Sequence, residues 1–341
     1  MLLLGWLAPG RAADGFPASP TNATPRVVVA QGRDLLTAFS PNEARVEDTF
    51  NQGLKFFTHE PAVNLAWRSL VATNDVVGIK VFVAPGPICG TRPAVVSAIV
   101  RGLLDAGLPP RHIVIWDKHA ADLRAAGYFE LGDRLGVRVA GAVECGYDTN
   151  AFYLPDSPVV GQLVWGDLEF GRTNKDFIIG KKSFVSRLVS QQMTKIISVA
   201  PLMNENSAGL CGHFYSLGLG GLDNTRRFES DPDRLAVALP EILALPQIGD
   251  RVALYVTDAL LAQHQGGPGG YLQFSQVRNE IWFSHDPVAL DTTALRELTL
   301  QRRLLNAPMM PANLGIYTNA VLLQLGVSNP ARVHIEKVTA D

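Results

Sequence analysis

Residues 75–84, DVVGIKVFVA, are apolar almost throughout, with a single charged side chain, Lys80, in the interior of the run. A near-continuous run of valine and isoleucine of this length is what a parallel strand covered on both faces requires. Pro85, Gly86, Pro87 and Gly90 then break the chain. Thr91 stands as a cap before residues 94–108, whose apolar positions recur with helical spacing and stop at Gly107. A second apolar run follows at 112–116 (HIVIW). Strand, helix and strand with short joins make a βαβ unit, which predicts an α/β fold with a mostly parallel sheet flanked by helices.

The rest of the chain repeats that rhythm. Strands are expected at 26–30, 136–140, 195–200, 251–257, 280–283 and 332–338. Helices are expected at 42–57 (continuing past Pro61 toward Leu70), 119–126, 233–245, 288–304 and 319–325. Residues 150–192 are less regular and read as a β-rich insertion into a single domain spanning 26–341, with β-like pieces at 159–164 and 177–179. Between 201 and 224 no hydrophobic period holds. Asn204, Glu205, Asn206, Cys211, His213, Asp223 and Asn224 crowd there with glycines at 209, 212, 218, 220 and 221. That composition predicts a long glycine-rich loop forming one wall of a site.

Composition excludes some classes. Apolar residues make up 47% of the 341-residue chain and charged residues 18%, which describes a well-cored globular protein. A net charge of -2, with basic residues scattered, provides no electrostatic footprint for nucleic acid. Residues 1–25 read as an export-signal remnant and linker: an apolar run from Leu2 to Leu7, then small residues at Ala12 and Ala13, without a basic leader region. A periplasmic or otherwise exported location is the expectation. No later run has the length of a membrane span. Cys89, Cys145 and Cys211 are too few and too far apart for a disulfide framework.

Several motifs in order carry a resemblance to a family. Val77-Gly78-Ile79-Lys80-Val81 precedes Thr91-Arg92-Pro93. Thr257-Asp258-Ala259-Leu260, Gly266-Gly267-Pro268 and Ser284-His285-Asp286-Pro287 follow later, and Leu325 to Pro330 closes the series. Together, over roughly residues 70 to 338, the chain resembles the bacterial and archaeal proteins called domain of unknown function 362. The resemblance implies an export leader of the twin-arginine type, and in some members a ferredoxin-like cysteine module, which this chain lacks. Met203 stands where many members have a lysine, and a second lysine common in the glycine-rich loop is absent. Mechanisms that need those lysines are not carried over.

Ligands of open parallel sheets bind beyond the carboxyl ends of the strands. The polar residues that follow strands here are therefore the candidates. Lys80, Asp117, His213 and Asp258 form the catalytic set. Asn204, Asn206, Gly220, Asp223, Asn224, Gly266 and Gly267 form the wall around a small-molecule ligand. Lys80 needs a carboxylate, with Asp117 or Asp258 the natural partner. Two cofactor readings stay open: a divalent metal held by carboxylates and imidazoles such as His119 and His264, or an iron–sulfur cluster on Cys89, Cys145 and Cys211. A disulfide between two of the cysteines is a further alternative. Asp286 before Pro287 reads as a helix cap rather than a ligand. Gly218 to Gly221 lack the dinucleotide fingerprint, and Ser284-His285-Asp286 cannot form a relay from adjacent positions. An exported enzyme of unknown substrate is the functional expectation, with a non-catalytic periplasmic binding protein as the other class.

Overall fold

The computed structural model describes residues 24–154, 182–310 and 312–340. In chain order, β1 (Arg26–Gln31) leads through the short pair β2 (Leu36–Thr37) and β3 (Ser40–Pro41) to α1 (Glu43–Thr58) and α2 (Val63–Leu70). The expected single helix over this region is split. His59 takes a left-handed φ of 59° that ends α1, while Asn42 caps its start by accepting from Arg45 N. Next come β4 (Val77–Lys80), α3 (Gly86–Cys89), α4 (Pro93–Asp105), β5 (Ile113–Asp117), α5 (Ala120–Ala125), α6 (Tyr128–Leu135), β6 (Arg138–Gly141) and α7 (Ala142–Cys145).

β7 (Tyr147–Tyr153) and β8 (Ser183–Ser186) pair antiparallel on either side of residues 155–181. The expected β-like pieces at 159–164 and 177–179, and residues 1–23 of the expected export-signal remnant and linker at 1–25, lie outside the described residues. The chain then forms β9 (Lys195–Met203), α8 (His213–Gly220), α9 (Pro232–Leu243), β10 (Val252–Gln263), β11 (Ser275–Ser284), α10 (Pro287–Leu304), α11 (Leu314–Leu322) and β12 (His334–Thr339).

Eight strands make one sheet in the order β12-β1-β11-β10-β9-β4-β5-β6. All neighbours are parallel except β11, which runs against both β1 and β10. The fold is thus α/β with a mostly parallel sheet between helices. Ile79, Ile115, Val199 and Val256 pack on one face with Phe50 of α1 and Ile99 of α4. Trp116, Ile196, Tyr255 and Trp282 pack on the other with α8, α9 and α10. β9 runs on through Pro201 because β4 pairs with it only as far as Ser198, so beyond that point no neighbour on that side needs an N–H.

One local expectation fails because the true partner is distant in sequence. Thr91 does not cap α4. Its hydroxyl instead accepts from Phe82 N and donates to Val199 O, stitching the loop to the sheet. The helix start is served by Asp258, a residue far away in sequence, which accepts from Arg92 N. Sequence spacing identifies local partners, and here the partner is not local.

Candidate functional site

From β4 the chain moves outward through β5 and β6 on one side, while β9 and β10 lie on the other. The strand order therefore reverses between β4 and β9, the place where an open sheet leaves a crevice. In this protein the chain itself fills that crevice. The expected glycine-rich loop contains α8, and all of its eight residues are buried. His213, Ser216 and Gly220, spaced three and four apart, lie on one side of the helix and meet the sheet.

Each member of that stripe has a partner. Lys80, fully buried at the end of β4, donates to Val81 O at 2.6 Å, Asp117 Oδ1 at 2.8 Å and Ser216 Oγ at 3.0 Å. An ammonium has three N–H groups, and all are used. Burial lowers the lysine below its ordinary range, and the Asp117 carboxylate opposes that shift. Gly220 is glycine because a Cβ there would sit 2.1 Å from Lys80 Cε. The absent side chain lets α8 pack closely against the lysine stem.

His213 Nδ1 lies 2.8 Å from Ser198 Oγ and Nε2 lies 3.4 Å from Thr257 Oγ1. Burial pushes this imidazole down to about 3, so it is neutral at ordinary pH. The start of α8 is held by Asp291 of α10, whose two oxygens accept from His213 N at 3.0 Å and Phe214 N at 3.2 Å. Burial raises that carboxyl to about 7 although both N–H bonds pull it down.

Of the catalytic candidates, Lys80 and Asp117 pair directly, and His213 lies on the same face. Asp258 is separated from them. It shares its side of β10 with Val256 and Leu260, the opposite face of the sheet, where Arg92 Nη1 donates to it at 2.8 Å in a second buried ion pair.

The wall candidates divide similarly. Asn204 Oδ1 accepts from Gly267 N at 3.0 Å, and Asn206 Oδ1 lies 3.4 Å from Asn204 Nδ2. Gly266 has a φ of 87°, which allows the turn to fold over. Asp223 Oδ1 accepts from Phe184 N and Asn224 N, tying this segment to β8. Asp286 caps α10 through Ala289 N at 2.8 Å.

The cofactor readings lack an assembled donor set. Among the described residues no group of three or more histidine, cysteine, aspartate or glutamate side chains is placed to hold a metal. Cys89, Cys145 and Cys211 are all free thiols, so none is in a disulfide. Cys89 ends α3, Cys145 sits beside Arg138 at the β6 edge, and Cys211 points at Asn204 O. His119 is exposed at the start of α5, and His264 is buried under Arg302, which donates to its carbonyl.

A second polar cluster lies one strand over, around residues outside the predicted catalytic set. Lys118 follows β5 directly and is half-buried. Its Nζ donates to Thr225 Oγ1 at 2.8 Å, and Thr225 Oγ1 donates in turn to Glu229 Oε2 at 2.9 Å. Burial lowers Lys118, while Glu229, Asp117 and Asp223 pull it back up. Tyr215 of α8 and Glu205 lie within electrostatic reach of Glu229, and both are raised, chiefly by burial. Glu205 Oε2 accepts from Ser207 N and Ala208 N, which sets the turn after β9. A strand-end lysine beside Asp117 was the available signal. Thr225 and Glu229 offered none, because they arrive from more than a hundred residues away.

No family model and no curated protein matches the chain. A solved structure of a Thermotoga maritima protein aligns over 79% of this chain at 13% identity, with a TM-score of 0.42. The alignment covers 60% of the length of that protein. A likeness of that size carries no functional argument.

Proposed function

We propose that the protein is an exported enzyme that performs acid–base chemistry on a small polar substrate held at the carboxyl end of β5, beside the filled crevice, with Lys118 as the proton-transferring group. The observation that carries this reading is the relay from Lys118 Nζ through Thr225 Oγ1 to Glu229 Oε2. A lysine is a useful base only when its amine is partly unprotonated near neutral pH, and burial moves Lys118 in that direction. When Lys118 takes a proton from substrate, the new charge is met by Glu229 through the threonine hydroxyl. Returning the proton completes the cycle. Tyr215 and Glu205 add a hydroxyl and a carboxyl within electrostatic reach of Glu229, both held in their neutral forms to higher pH than usual.

The family resemblance and the leader-like start support the exported location. The other reading, a binding protein without turnover, uses the same polar residues but requires no relay.

Incubating the purified chain with a small-molecule extract and following it by mass spectrometry tests the choice. Depletion of one compound with appearance of a product is expected for the native protein. Lys118→Met and Glu229→Gln are expected to lower that turnover by at least about a hundredfold. Both variants should keep stability to within about 0.5 kcal/mol, as half-exposed changes do. A compound that is retained unchanged by native protein and variants alike supports the binding protein instead.

A further inference from the structure

At the far end of the sheet, away from Lys118, a cavity of about 850 Å³ opens between β1, β11, β12 and the helices α10 and α11. That volume is in the range of small-molecule sites. Its floor is apolar and aromatic, built from Val29, Trp282, Leu295 and Tyr317. Its two acidic residues are already engaged: Arg278 bridges Glu280 at 3.2 Å and Glu297 at 3.1 Å. Glu280 also accepts from Trp282 Nε1, which fixes the indole in the wall.

Three cations remain at the rim. Arg296, Arg303 and Lys337 line the opening, are exposed, and have no carboxylate partner among the described residues. Between them, Leu300, Leu314 and Ile335 are 49%, 61% and 40% exposed at the mouth. A greasy floor under an unneutralised basic rim selects one kind of molecule. An apolar cation is repelled at the rim, a free inorganic anion leaves the floor wet, and an uncharged apolar ligand leaves the rim unpaired.

We infer that this cavity is a ligand site, separate from the Lys118 cluster, for an amphipathic anion of the acyl or aryl carboxylate class. The apolar body lies against Trp282, Leu295 and Tyr317, and the carboxylate stays at the rim where Arg296, Arg303 and Lys337 meet it. Binding here is independent of the acid–base relay.

Calorimetric titration of the full chain with decanoate, decanol and decyltrimethylammonium, each below its micelle threshold, tests the assignment. One decanoate per chain is expected, at least about tenfold tighter than either of the others. The Arg296→Gln/Arg303→Gln/Lys337→Gln variant should lose that preference. These three side chains are on the surface, so the variant should keep the native circular dichroism spectrum. Thr318→Trp, which fills the cavity, should abolish binding, whereas Lys118→Met should leave it unchanged. Equal affinity for the anion and the cation, more than one equivalent bound, or a preference that survives the triple variant overturns the assignment.

Discussion

Lys80 and Lys118 stand at the same edge of the sheet, at the ends of adjacent strands, and their surroundings differ completely. Lys80 is fully buried and satisfied on all three N–H groups by Val81, Asp117 and Ser216. Lys118 is half-buried and has one hydroxyl partner, itself bound to a carboxylate. Both amines are lowered by burial. A depressed lysine therefore does not by itself mark chemistry. What separates the two is whether the amine has a free N–H or lone pair that a substrate can reach. Lys80 has neither and works as a clamp that holds α8 on β4, whereas Lys118 keeps N–H groups that its one partner, Thr225, does not take.

The largest effect should come from breaking the clamp. Lys80→Met leaves Asp117 charged under α8 and is expected to cost about 3–5 kcal/mol in urea unfolding. Adding Asp117→Asn should return part of that loss, because the uncompensated charge is then gone. A cost below about 1 kcal/mol for the single change would erase the contrast with Lys118.

A second test reads the other anchor of α8. The folded-state value of Asp291 is raised to about 7 from 3.8. A raised carboxyl contributes stability that is complete below its unfolded value and is lost as pH climbs through its folded one. The native protein should thus lose on the order of 4 kcal/mol from this group between pH 4 and pH 7. His213 acts oppositely, costing stability as pH falls below 6.5 toward its folded value of about 3. Comparing native protein with Asp291→Asn at each pH isolates the carboxyl, and the variant should gain relative to the native chain as pH rises. Parallel unfolding curves across that window would show that Asp291 is not buried as described.

The smallest change probes packing alone. Gly220→Ala places a methyl 2.1 Å from Lys80 Cε, and that stem cannot swing away without giving up its three acceptors. A loss of about 1–3 kcal/mol in thermal or urea unfolding is expected. No loss would mean that α8 can lift from the sheet and that the crevice below it is accessible to ligand.

Local pattern carried much of the fold. The apolar runs ending at Lys80 and Asp117 and the helix between them are visible as spacing of residues that must be covered. The parallel βαβ arrangement follows from them. Residues 213–220 were not legible as a helix. Amphipathic spacing marks a helix with one wet face, and this one is buried all round, with small and polar residues where it meets the sheet. Its glycines therefore looked like a loop.

The sequence by itself determined which side chains lie at the carboxyl edge, because strand ends are encoded by neighbours along the chain. Only tertiary structure decided which of them are sealed and which are open. Asp258 turns to Arg92 on one face, Lys80 disappears under α8 on the other, and Thr225 and Glu229 come from a distant segment to Lys118. Access to solvent and saturation of hydrogen bonds are properties of packing between remote segments, and no local pattern records them.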